Sequence, residues 1–194
     1  NLDLELTTED VVDFEDVLPN ITNTTIKTKF SKANYYLQEK KYEEAKKLIY
    51  SASKVNPSLG FGDFLLSKIY YETKQIDSSL FFIEKAYSKV QKNSAHVVLY
   101  QTILNDLNEF EKEDKVFEQV KHLDIELIWT NHFFILLKKN RKFNVDFTDN
   151  DLDNINYALK KFPKNPLFKS FDLLIREGYD GSILASKLDV LAAI

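Results

Sequence analysis

A shift of 34 residues lays much of this chain over itself, and that self-similarity constrains the fold more than any local motif. Ala33, Tyr36, Tyr42, Ala45, Ile49 and Ala52 map without a gap onto Ser67, Tyr70, Ile76, Ser79, Ile83 and Ala86. A further 34 residues reach Gln101, Leu104, Phe110, Glu113, Phe117 and Val120. Apolar positions stay apolar in all three copies, whereas the third exchanges two small residues for Gln101 and Glu113. Ala45 and Ala52 lie seven apart and so share one side of a helix. Only four glycines and four prolines punctuate 194 residues, which leaves short connections between helices. A period of this length belongs to a unit that cannot bury its apolar face alone and must stack on its neighbours.

The pattern continues towards the C-terminus with one slip. The position of Ala52 recurs at Ala86, Val120, Ala158 and Ala192, with spacings of 34, 34, 38 and 34. Four extra residues are therefore expected in a loop around Arg141–Thr148. These copies resemble the tetratricopeptide repeat. Ala33, Tyr36, Tyr42, Ala45, Ala52 and Pro57 stand where that family has its small residue, its aromatics, its two alanines and its closing proline. Lys29 and Lys32 replace its early tryptophan and leucine. The resemblance implies an all-α fold: a right-handed superhelix of antiparallel helix pairs, an α-solenoid, with copies at 26–59, 60–93, 94–127, 128–165 and 166–194.

The ends are different in character. Residues 1–25 hold seven acids and no base, leaving the rest of the chain at a net charge of +3. Within this acidic arm, Thr8 to Leu18 reads as a short amphipathic helix with Val11, Phe14 and Leu18 on one face, ended by Pro19. At the other end Leu191, Ala192, Ala193 and Ile194 form an apolar stretch, expected to be covered by further chain or a partner, or to support homo-oligomerisation. A body at +3 without a stripe of lysine and arginine argues against a nucleic-acid partner. The longest apolar run, Phe133 to Leu137, is far short of a membrane span. Cysteine is absent, which excludes disulfides, thiol catalysis and cysteine-ligated zinc. The chain opens on Asn1 and contains no methionine, so it reads as a processed or excised product. Together with the lack of cysteine, this leans towards the cell envelope over the cytoplasm.

Catalysis requires converging groups, and none assemble. His96, His122 and His132 are scattered and read as surface or helix-end residues. The two glycines of SLGFGD, Ser58 to Asp63, follow a helix, whereas a dinucleotide fingerprint follows a strand, so this stretch reads as a linker. Glu43 and Glu44 fall on a solvated face among lysines. The Asn20 and Asn23 sequons lie in an Asn/Thr-rich linker where such matches arise by chance. No enzymatic activity, cofactor or metal is expected.

What remains is surface. In the tetratricopeptide family, the first helices of successive repeats line a concave groove that holds a partner's peptide or helix. Projected onto this chain, that face comprises Lys27, Phe30, Asn34 and Leu37, then Phe61, Phe64, Lys68 and Tyr71, then Val98, Thr102 and Asn105. Members that clamp a chaperone's terminal carboxylate use lysine, arginine and asparagine there. Only Asn34 matches that set; Phe30, Leu65, Ala95 and Leu99 stand where the other groups would be, so this recognition is not expected. An aromatic groove suits an amphipathic helix or an apolar segment instead, each buried ring contributing roughly 1.5–3 kcal/mol. Alternatively, Phe30, Phe61 and Phe64 pack between repeats, or the acidic arm covers them, its carboxylates facing Lys27 and Lys68. In ELIWTNHFFILLKKN, Glu126 to Asn140, apolar residues surround most of the helix, which places Trp129 in the core.

The resulting expectation is a non-enzymatic scaffold that binds another protein and assembles or stabilises a complex. Two alternatives stay open: a substrate-positioning module of a larger enzyme such as a glycosyltransferase, and a chaperone for a secreted protein.

Overall fold

The computed structural model describes residues 21–91 and 93–177. The expected Thr8–Leu18 helix, the Ala185/Ala192 copy and the apolar C-terminal stretch lie outside these residues. Within them the chain is all-helical, without strands. In order, the helices are α1 (Thr24–Gln38), α2 (Tyr42–Val55), α3 (Phe61–Glu72), α4 (Ile76–Lys89), α5 (Ser94–Leu107), α6 (Phe110–Val120), α7 (Glu126–Phe143), α8 (Asp149–Lys161) and α9 (Pro166–Glu177). Single 3₁₀ turns, Pro57–Leu59 and Lys121–Leu123, follow α2 and α6. No helix of the described residues is long and apolar enough to cross a membrane.

These residues form two compact units with the boundary between Asn131 and His132, inside α7. In the first unit α1 folds back on α2, α3 on α4 and α5 on α6, while α2 packs on α3 and α4 on α5. The first helices also touch in sequence, α1 with α3 and α3 with α5. The 34-residue phase is visible in the backbone. The second helices begin at Tyr42, Ile76 and Phe110, each 34 residues after the last. The turns before them place Lys40, Lys74 and Asn108 in the left-handed region at φ 56°, 60° and 59°. Each turn closes with the same bond spanning five residues: Lys41 N–H to the Tyr36 carbonyl at 2.8 Å, Gln75 to Tyr70 at 2.8 Å and Glu109 to Leu104 at 2.9 Å. That is the Schellman closure of a helix C-terminus, here with side-chain-bearing residues where glycine is the commonest choice.

Most positions matched in sequence are interior, while Tyr36, Tyr42, Tyr70 and Ile76 are half-buried. Ala45, Ile49 and Ala52 on α2, Ser79, Ile83 and Ala86 on α4, and Glu113, Phe117 and Val120 on α6 are all buried, as are Ala33, Ser67 and Gln101 opposite them. Small residues permit close approach: a Cβ built on Gly62 would sit 2.0 Å from Ser53 Oγ and 3.3 Å from Ser53 Cβ on α2. Caps are local. Asn23 accepts from Ile26 N–H at 3.1 Å and Asn93 from His96 N–H at 3.1 Å, so the Asn23 sequon position serves as a helix cap. Trp129 is buried as expected, edge-on to Phe117 with ring centroids 4.9 Å apart, its indole N–H donating to the Lys121 carbonyl.

The second unit contains the C-terminal part of α7 with α8 and α9, the last two packed on each other. Its core is aromatic: Phe133 lies 6.0 Å from Phe168 and 5.5 Å from Phe171, and Phe162 stacks on Phe168 at 5.6 Å. A capping box starts α8, with Thr148 Oγ1 accepting from Asp151 N–H and Asp151 Oδ2 from Thr148 N–H. The expected loop at 141–148 is shorter than anticipated, because α7 continues through Phe143 before Asn144 turns the chain at φ 50°.

Candidate partner-binding face

The eleven residues projected onto the face all belong to the first unit, on α1, α3 and α5, and packing divides them. Phe30, Leu37, Phe61 and Val98 are in the core, at 0%, 3%, 2% and 3% exposure. This corrects their assignment as groove lining. The reason is geometric. The buried residues of α1 are Ile26, Phe30, Ala33, Asn34 and Leu37, and the projected stripe Lys27, Phe30, Asn34, Leu37 shares three of them. On α3 every residue from Phe61 to Ser67 is buried, and on α5 every residue from Ala95 to Gln101. Each of these helices is covered along its N-terminal half by neighbours on both sides.

The face opens over the C-terminal halves. Lys68 and Tyr71 on α3, and Thr102 and Asn105 on α5, are half-buried, as is Lys27 near the start of α1. Asn34 and Phe64 lie at its edge, each 9% exposed. Beneath it the rings form a continuous chain across the three helices. Phe30 meets Phe61 edge-on at 5.1 Å, Phe61 lies 5.9 Å from Phe64, and Phe64 lies 5.0 Å from the His96 imidazole. The aromatics thus join first helix to first helix, each close pair contributing about 0.5–1.5 kcal/mol beyond its burial.

The polar groups above the rings are unequally satisfied. The Tyr71 hydroxyl donates to Asp106 at 2.7 Å; burial first, and that carboxylate second, push its pKa up. Thr102 donates back to the Val98 carbonyl at 2.9 Å. Lys68 extends over the Phe64 ring with its ammonium 6.0 Å from the centroid. Burial holds this ammonium below the ordinary lysine range, opposed by the charge of Glu72. The Asn34 side chain, at the same position one repeat earlier, makes no hydrogen bond among the described residues.

Behind the face lies a polar node that the sequence reading passed over. Asp63, 7% exposed, is held by Lys85 at 3.1 Å and Lys89 at 2.5 Å, and Lys89 also donates to the Pro57 carbonyl. It ties the connection after α2 to α3 and α4. His96 stands nearby at 1% exposure, with no hydrogen bond of good geometry at either ring nitrogen. Burial pushes its pKa down to about 4, against weaker opposing influences from the Val90 and Ala86 backbone and from Asp63. His96 and His132 are therefore buried, not surface residues, while His122 is exposed. The signal for His96 was its setting, since Ala95 to Tyr100 is otherwise an unbroken run of apolar residues.

No protein-family model matches this chain, and no curated protein sequence matches it.

Proposed function

We propose that this chain is a non-enzymatic interaction scaffold, a right-handed superhelix of tetratricopeptide-like repeats that holds a helix or apolar segment of another protein against the first-helix face. The occupied surface is the part of that face left open by packing: Lys68, Tyr71, Thr102 and Asn105, with Lys27, Asn34 and the edge of Phe64 at its border. One observation carries the reading. Helices α3 and α5 are fully packed over their N-terminal halves, yet the same sides of both remain half-exposed over the next turns, at positions that repeat with the 34-residue phase. A repeat array gains an extended binding surface in this way, from equivalent positions on stacked units. The in-phase second helices and left-handed turn residues support the repeat assignment.

The test uses the full chain on a solid support, with bound proteins identified from a lysate of the source organism. A specific protein retained by the parent and lost from a Tyr71→Ala, Thr102→Arg variant of unchanged helicity would support the reading. Identical retention by parent and variant would sink it.

A further inference from the structure

Resting on that reading of the face, we propose that the segment it receives carries an acidic side chain among apolar ones, and that Lys68 receives the carboxylate. Lys68 is an ammonium with no acid in direct contact. Among the described residues Lys68 makes no ion pair and no hydrogen bond; its ammonium lies 6.0 Å from the Phe64 ring centroid, a weak interaction at that distance, and feels the charge of Glu72 from one turn further along α3. Other lysines in this unit are treated differently: Lys85 and Lys89 share Asp63, and Lys112 pairs with Glu84. Two acids of this region already accept from tyrosines. Glu72, one turn further along α3, takes the Tyr42 hydroxyl at 3.1 Å, and Asp106 takes the Tyr71 hydroxyl at 2.7 Å.

An ammonium partly withdrawn from water with no acid in contact is under-satisfied, and half-buried Lys68 stands in that state at the mouth of a packed interior. A carboxylate placed on it forms a charge-assisted hydrogen bond. Asn34 and Thr102 hold the same repeat position as Lys68 on α1 and α5. The unengaged Asn34 amide adds a neutral donor along the same line. The Phe64 ring offers the ammonium apolar surface, which favours apolar residues beside the acid.

A randomised 12-residue peptide library panned against the full chain tests this directly. The parent should enrich peptides with Asp or Glu at one fixed place between apolar residues, by about tenfold or more over Asn and Gln. Lys68→Arg should keep that preference. Lys68→Met should lose it while retaining the apolar positions, and should be at least as thermally stable as the parent, which separates lost recognition from lost folding. Enrichment without an acid, or an acid preference that survives in Lys68→Met, overturns the inference while leaving the groove in place. No enrichment by any chain overturns the interaction reading itself. Enrichment seen only after Glu9, Asp10, Asp13, Glu15 and Asp16 are changed to their amides would make the chain's own acidic arm the occupant, and would overturn a separate partner as the source of the carboxylate.

Discussion

Ser67 and Ser79 hold each other in both directions: each hydroxyl donates to the other's backbone carbonyl at 2.9 Å, with the two oxygens 3.0 Å apart, in a fully buried contact between α3 and α4. The same slot is filled by Ala33 and Ala45 in the preceding helix pair, and by Gln101 and Glu113 in the next, where the amide donates at 2.8 Å. Three chemistries satisfy one geometry: methyl against methyl, a reciprocal hydroxyl pair, and an amide–carboxyl bond. Because the alanine pair shows that the slot tolerates an apolar filling, Ser67→Ala and Ser79→Ala should each cost about 1 kcal/mol, and the double variant should cost less than the sum. Urea denaturation of the four chains in this cycle checks it; strict additivity would mean that the two hydroxyls act independently.

Phe30 provides the sharpest separation of core from binding surface. Its ring is wholly buried and meets Phe61 edge-on. Phe30→Ala should lower stability by about 3–5 kcal/mol, the usual cost of deleting a packed ring. Denaturant midpoints read this without any ligand. A loss below 1 kcal/mol would return Phe30 to the list of surface anchors.

His96 makes stability depend on pH. Its folded pKa of about 4 lies below the ordinary histidine value of 6.5, so between these values the unfolded chain binds the extra proton. Its neutral form therefore contributes in full above pH 6.5, and that contribution falls away as pH drops towards 4, by about 3 kcal/mol at most. His96→Leu should flatten the curve of unfolding free energy across this window. An unchanged slope would assign the acid sensitivity to carboxylates instead.

The left-handed turn residues offer a gain. Lys40 and Lys74 hold φ values of 56° and 60°, a conformation costing a side-chain-bearing residue about 1 kcal/mol relative to glycine. Lys40→Gly and Lys74→Gly should each raise stability by about 0.5–1 kcal/mol, and Asn108→Gly by less, since asparagine tolerates this region. Thermal unfolding of the three variants would show the ranking.

The helix pairs were readable because their signals are local and repeated. Ala45, Ile49 and Ala52 mark a buried side by helical spacing alone, and their counterparts on α4 and α6 are buried in turn. The binding face was readable only in part. Lys68, Tyr71, Thr102 and Asn105 are half-exposed, whereas Phe30, Leu37, Phe61 and Val98 are interior. Successive residues on a helix differ by about 100°, so the stripe through Lys27 and the buried side through Ile26 overlap at Phe30, Asn34 and Leu37. Spacing cannot say which of two adjacent stripes a neighbouring helix covers.

By itself, then, the sequence determined the helical class, the 34-residue phase and most of the interior, since hydrophobic periodicity acts within a helix and recurs from pair to pair. Tertiary packing decided how far along α3 and α5 the neighbours reach, and so which residues are left open. It also decided which charges meet directly: the hydroxyls of Tyr42 and Tyr71 engage Glu72 and Asp106, and Lys68 has no acid in direct contact. Those pairings join residues 30 and 35 positions apart, and only the stacking of one helix pair on the next brings them within hydrogen-bonding reach.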